Sequence, residues 1–85
     1  MSAGGISLDG VSNSHGPLID IQKAMIHAAR KIIFCLDHTK FGRQSISLLC
    51  ALDVIDTIVT DQAAPAEMVR ELQRHKIEVI AAGSA

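Results

Sequence analysis

A short polar run after an apolar segment carries the side chains best suited to ligand binding. Asp37, Thr39 and Lys40 follow the apolar residues 32–36 directly. A lysine ammonium pairs well with a phosphate, and carboxylates and hydroxyls bind the hydroxyl groups of a sugar. These residue types, three positions apart at most, predict a site for a small polar ligand.

The same run is also typical of a surface turn. In that interpretation Asp37 accepts local backbone N–H bonds and Lys40 is only solvated. His38 lies between them, where it would either hydrogen-bond a ligand or remain a solvated loop residue. The spacing alone leaves both interpretations open.

The apolar segment before this run predicts the element that positions it. Residues 32–36 are too few for a buried helix and indicate a strand covered on both faces, as in a parallel sheet. Ligands of open α/β sheets bind at the carboxyl ends of the strands, which is where Asp37 falls. Residues 56–60 repeat the pattern, a strand that ends at Asp61, although aspartate is common at strand ends.

The remaining periodicity predicts an α/β fold with a mostly parallel sheet and flanking helices. Pro17 begins a first helix, whose buried stripe is expected to be Leu18, Ile21 and Met25. Pro65 precedes a second helix that ends near His75. Further strands are expected at residues 48–51 and 76–80, a helical turn at residues 52–55, and the end of the last strand at residues 81–83.

Residues 1–16 are rich in glycine and serine and predict mostly loop. A short strand near residues 3–6 is one alternative, and a frayed N-terminus is another. Gly4 and Gly5 would let the backbone approach a ligand closely. They are therefore candidate ligand-binding positions.

Composition narrows the classes of function. The 85 residues carry a net charge of −1 and are 48% hydrophobic, which argues against a nucleic-acid-binding surface and suggests apolar area covered by another segment or subunit. No membrane-spanning run or signal peptide is predicted, so a cytoplasmic location is expected. Cys35 and Cys50 are expected to be reduced.

Catalytic and metal-binding motifs are not found. The four histidines and two cysteines have no zinc-binding spacing, no serine lies in a G-x-S-x-G elbow, and neither a G-x-G-x-x-G run nor a Walker A lysine occurs. We therefore expect no metal, no cofactor and no enzymatic activity.

Three segments together resemble the C-terminal sensor domain of DeoR-type bacterial transcriptional repressors. They are Ala24-Met25-Ile26, Asp37-His38-Thr39-Lys40-Phe41-Gly42-Arg43, and residues 55–61, of which the second is the most specific. The resemblance extends over nearly the whole chain but covers only the second half of the family's sensor domain. It implies that residues 1–85 lack the DNA-binding helix-turn-helix domain and the glycine-rich phosphate loop.

The resemblance implies a fold like ribose-5-phosphate isomerase and the CoA transferases, and a phosphorylated sugar as the effector. Lys40 looks like the lysine that contacts the anion, with Asp37 and Thr39 at the same strand end. Gly4-Gly5 matches a place where the family usually has Asp-Gly, so the acidic group is missing. Self-association as a dimer or tetramer is expected, and DNA would be contacted only through the absent domain.

Two alternatives remain. One is a fragment of a sugar-phosphate isomerase, which would need a carboxylate base that Gly4 does not supply. The other is a truncated remnant that associates but binds no ligand.

Overall fold

The computed structural model describes residues 1–14 and 16–82, which form an α/β structure. Two short 3-10 turns lie at His38–Lys40 and Leu52–Val54. The strands are β1 (Gly5–Ser7), β2 (Gly10–Asn13), β3 (Ile33–Cys35), β4 (Ser47–Cys50), β5 (Thr57–Asp61) and β6 (Glu78–Ala82), and the helices are α1 (Gly16–Ala28) and α2 (Ala66–Arg74).

The strands form two separate three-stranded sheets. One sheet is parallel with the order β3-β5-β6, and the other is antiparallel with the order β1-β2-β4. The prediction of a mostly parallel sheet is therefore wrong for β4, which pairs with β2. A parallel crossover needs a long connection, usually helical, and residues 36–46 between β3 and β4 contain only the short turn at His38–Lys40.

The N-terminal segment is a β-hairpin, and the prediction of mostly loop or a frayed end is wrong. Ser7 pairs with Gly10 across a turn at Leu8 and Asp9, and Gly10 has φ 130°, which favours glycine. Ile6 and Val11 are fully buried in the core. The hairpin is therefore held by apolar burial as well as by its ladder.

The parallel sheet is covered on one face only. Phe34 and Ile58, which are neighbours in the register, are fully buried, and Leu72 of α2 belongs to the same core. On the other face Ile33 is 39% exposed and Cys35 is exposed. The expectation that residues 32–36 are covered on both faces is thus wrong in this chain, because neither helix lies over that second face.

Helix α1 places a different stripe in the core from the one expected. Ile19 and Gln22 are buried, whereas Leu18, Ile21 and Met25 are 40%, 59% and 49% exposed. The buried amide of Gln22 accepts a bond from Asn13 at 3.0 Å and donates one to the Ser2 carbonyl at 2.8 Å. Because both of its polar ends are satisfied, glutamine is tolerated at this core position.

From β5 to the end of β6, the elements agree with those that the sequence predicts. Helix α2 buries Leu72 and carries an ion pair between Glu71 and Arg74 at 2.5 Å. Strand β6 pairs with β5 in parallel, as expected of strands joined by a helix. Gly83, at which the last strand was predicted to end, lies outside the described residues.

The two cysteines are free. Cys35 is exposed. Cys50 is half-buried, and this burial raises the pKa of its thiol.

Candidate functional site

The turn that follows β3 is fixed by Asp37. The Leu36 N–H donates to the Val59 carbonyl at 2.9 Å, which extends the strand pairing up to the turn. Oδ1 of Asp37 then accepts the backbone N–H of Thr39 at 2.9 Å and also the Thr39 hydroxyl. These bonds cap the turn His38–Lys40, as the surface-turn interpretation expects.

The same geometry leaves two groups available for a ligand. Within residues 1–14 and 16–82, Oδ2 of Asp37 and the ammonium of Lys40 make no hydrogen bond to the protein. The hydrogen bonds from Thr39, side chain first and backbone second, hold the pKa of Asp37 below its usual 3.8. Asp37 therefore stays ionised at neutral pH and presents one free carboxylate oxygen, and the charge of Lys40 also favours its ionised form.

Strand β5 ends beside this turn and contributes a second carboxylate. Oδ2 of Asp61 lies 2.8 Å from Nδ1 of His38 and accepts the His38 backbone N–H at 3.3 Å. The hydrogen bond and the charge of Asp61 raise the pKa of His38, and the same hydrogen bond lowers the pKa of Asp61. Both aspartates lie at strand ends, as the sequence predicted, but the sequence did not reveal that His38 bonds to Asp61.

A shallow, open groove of roughly 270 Å³ lies between the two strand ends. The hydroxyl of Thr60, a residue that lines the groove, is buried and, among the described residues, has no hydrogen-bond partner. The groove has apolar walls with a carboxylate at each strand end, an arrangement suited to a small polyol. Its lining residues are Cys35, Leu36, Asp37, Val59, Thr60 and Asp61.

Gly4 and Gly5 do not line this groove. They lie against the chain that follows the turn: a Cβ on Gly5 would be 2.1 Å from the Arg43 carbonyl oxygen, and one on Gly4 would be 2.4 Å from the Ser45 hydroxyl. The Gly42 N–H also donates to the Ile6 carbonyl at 2.8 Å. A packing requirement therefore accounts for glycine at position 5, whereas the Ser45 hydroxyl next to Gly4 can rotate away. A contact with ligand at either position remains a prediction.

A more enclosed cleft of roughly 250 Å³ lies beside the β1–β2 turn. The Gln44 amide donates to Oδ2 of Asp9 at 2.7 Å and to the Ser7 hydroxyl at 3.3 Å. Several of its polar groups are thus already bonded to one another. The strand-end groove is the better candidate because it is lined by Asp37, one of whose carboxylate oxygens is free. Thr39 and Lys40 lie in the turn that follows Asp37 and are not among the residues that line the groove.

No grouping of three histidine, cysteine, aspartate or glutamate side chains in residues 1–14 and 16–82 is arranged to hold a metal ion. His15, one of the four histidines of the chain, lies outside the described residues.

Neither helix in the described part of the chain has the length and apolar character needed to cross a membrane.

A family model matches most of the chain. The family model described as "DeoR C terminal sensor domain" matches residues 1–62. The chain belongs to this family. The matched range includes the whole segment from Asp37 to Arg43 and both strand-end aspartates. All the residues that line the groove therefore lie within the part of the chain that matches the sensor family.

Curated relatives are DeoR-type regulators. The chain is 28% identical over 58 residues to the glycerol-3-phosphate regulon repressor of Escherichia coli strain K12, covering 68% of this chain and 23% of the relative. It is 31% identical over 74 residues to a putative aga operon transcriptional repressor of Escherichia coli O157:H7, covering 87% and 28%. It is 30% identical over 80 residues to the HTH-type transcriptional regulator IolR of Bacillus subtilis strain 168, covering 93% and 32%. The chain thus spans at most about a third of these relatives.

Proposed function

We propose that this chain is the effector-sensing portion of a DeoR-type transcriptional repressor and binds a phosphorylated sugar or sugar alcohol. The observation that carries the proposal is an ionised Asp37 with one free carboxylate oxygen at the carboxyl end of a parallel strand, with the charge of Lys40 acting on it from the following turn. An ammonium and a carboxylate in one turn suit a ligand with one anionic group and several hydroxyls. Membership of the sensor family supports the same conclusion.

Each polar side chain of the turn is assigned a different role in binding the ligand. Lys40 would meet the phosphate, and Oδ2 of Asp37 would accept a sugar hydroxyl. The Thr39 hydroxyl already donates to Asp37, so its role is to orient that carboxylate, while its lone pairs can still accept a bond. The name of the glycerol-3-phosphate regulon repressor favours a phosphorylated polyol, and the relatives' names as repressors and regulators favour binding over turnover.

The proposed DNA binding and self-association involve parts outside this chain. We infer a sensor domain with the ribose-5-phosphate isomerase type of fold, of which residues 1–85 form the C-terminal part. DNA would be contacted through a helix-turn-helix domain outside this chain. Self-association as a dimer or tetramer and a cytoplasmic location fit this role, and the exposed apolar residues of α1 and of the parallel sheet supply area for the association.

The test is an NMR titration of the chain with a panel of sugar phosphates, glycerol 3-phosphate and inorganic phosphate. We expect one sugar phosphate to shift the amide signals of residues 37–41 with saturation. Lys40→Ala should abolish the response, and Lys23→Ala, on the exposed part of α1, should preserve it. A folded chain that responds to none of these ligands would contradict the proposal.

A further inference from the structure

Asp61 ties the ligand-bearing turn to the neighbouring strand. Both the backbone N–H and the imidazole of His38, the first residue of the turn, contact one oxygen of Asp61. The other oxygen accepts the Ala63 N–H at 3.1 Å. The carboxylate is thus anchored at the end of β5 and holds a turn that begins at the end of β3, so it controls where Asp37 and Lys40 stand.

We propose that His38 and Asp61 form a proton-dependent clamp that positions the turn for an anionic effector. The inference rests on the proposed function, because it concerns the same site. Asp61 acts here as a positioning residue: it need not touch the ligand. Its contacts with His38 place the two groups that do.

Protonation of His38 affects both the charge of the site and the hydrogen bond that holds the turn. The charged groups near His38 are Asp61, Asp37 and Lys40, and the loop that leads to α2 contributes only the Ala63 N–H to Asp61 in the described residues. With a neutral imidazole, the charge of Asp61 is left without the compensation that His38 can supply. A protonated imidazole neutralises that charge and strengthens the bond that fixes the turn.

The sign of the pH dependence follows from the pKa shifts. The pKa of His38 is raised from 6.5, so its contribution is complete below pH 6.5 and is lost as the pH rises through the higher value of the folded chain. The pKa of Asp61 is lowered from 3.8, so its contribution persists down to that pH and is lost below it. The clamp is therefore complete between pH 3.8 and 6.5.

The clamp itself is tested without any ligand. In the 85-residue chain, the His38 imidazole is titrated by NMR in the wild type and in Asp61→Asn. We expect the variant to titrate at a lower pH than the wild type. Asp53→Asn is the matched control, because Asp53 is 87% exposed and lies 4.0 Å from a different histidine, His75. An unchanged His38 titration in Asp61→Asn would overturn the proposal.

The role in binding is tested with glycerol 3-phosphate at pH 6 and pH 8. Asp61→Asn should weaken binding at pH 6 by about fivefold or more, although it removes a negative charge beside an anion. Tighter binding by this variant would mean that Asp61 only repels the ligand, which would overturn the clamp. His38→Gln should weaken binding more at pH 6 than at pH 8. The effect is expressed as the ratio of the wild-type affinity to the variant affinity at each pH, because protonation of the ligand affects both proteins equally.

The outcomes separate the two claims. Equal binding by the wild type and Asp61→Asn at both pH values would overturn the clamp and leave the sugar-phosphate site standing. If the wild type binds neither glycerol 3-phosphate at either pH nor any other sugar phosphate of the panel, both the proposed function and this inference are contradicted.

Discussion

At Asp37, one carboxylate oxygen is used within the turn and the other is left for a ligand. The oxygen that is used accepts both the backbone N–H and the hydroxyl of Thr39, so the carboxylate has little freedom to rotate. This preorganisation means that a bound hydroxyl would meet an acceptor already in place. The two interpretations of the turn are therefore compatible: the local bonds orient the residue that the ligand would contact.

This arrangement predicts how Asp37 titrates. Thr39→Val removes the hydroxyl bond that is the largest cause of the lowered pKa, so the pKa of Asp37 should rise toward 3.8. The stability that the bond supplies is present above pH 3.8 and is lost as the pH falls through the lower folded value, and the variant should lose less on acidification. Carbon-13 NMR of the carboxyl group measures the pKa, and urea unfolding at several pH values measures the stability. Thr39→Ser, which keeps a hydroxyl, is the control, and an equal rise there would contradict the prediction.

Gly5 illustrates a residue whose role is visible only in three dimensions. A Cβ there would meet the backbone carbonyl of Arg43 at 2.1 Å, and a backbone atom cannot move aside as a flexible side chain can. Gly5→Ala should therefore lower the free energy of unfolding by about 1–3 kcal/mol, the usual cost of overpacking. Gly16→Ala, where a Cβ has no neighbour within 4 Å, should leave the urea midpoint nearly unchanged. Equal midpoints for the two variants would refute this account.

At the scale of single elements, helix α1 shows why the sequence predicted a helix but not its orientation. Apolar residues recur at helical spacing on two stripes, so periodicity identifies the helix without selecting the stripe that faces the core. The buried stripe includes Gln22, which local sequence patterns assign to the surface. Its partners Asn13 and Ser2 lie in segments that only the tertiary structure brings to the helix.

The two stripes should differ sharply in their contributions to stability. Ile19 is 5% exposed, so Ile19→Ala should cost about 2–5 kcal/mol, the range for large-to-small changes in a core. Ile21 is 59% exposed, and Ile21→Ala should change the free energy of unfolding by about 0.5 kcal/mol or less. Urea unfolding followed by circular dichroism compares them. If Ile21→Ala proved the more damaging change, the stripe of α1 that contains Ile21 would be the one that faces the core.

The strands were predictable to different degrees for physical reasons. β3, β5 and β6 are apolar or β-branched and carry their own signal. Asp37 follows β3 and Asp61 ends β5, as the sequence pattern predicts. β2 contains Ser12 and Asn13, which are buried because they bond to neighbouring segments, so its composition resembles a loop. The Asp9-Gly10 pair, a strong hairpin signal, is the feature that would have revealed it.

For the whole molecule, the main consequence of the fold is an apolar surface without a cover. Parallel sheets in proteins have both faces covered, and the face that carries Cys35, Val59 and Ile80, which are neighbours in the register, is open in this chain. Together with the exposed stripe of α1, this leaves considerable apolar area in contact with water. An area of this kind favours association with a second protein surface.

We therefore expect the isolated chain to self-associate through the open face of the parallel sheet. Ile80 is 45% exposed on this face, so Ile80→Lys removes apolar area and places a charge on the surface that would associate. The variant should weaken association by about tenfold or more, because burial of one isoleucine contributes roughly 1.5–3 kcal/mol. Leu8→Lys is the control, since Leu8 is 55% exposed in the β1–β2 turn and away from this face.

Sedimentation equilibrium measures the association of the wild type and of both variants. A wild-type chain that remains monomeric at every concentration would contradict the expectation. Equal weakening by both lysines would mean that the association reflects general apolar exposure and does not use the open face.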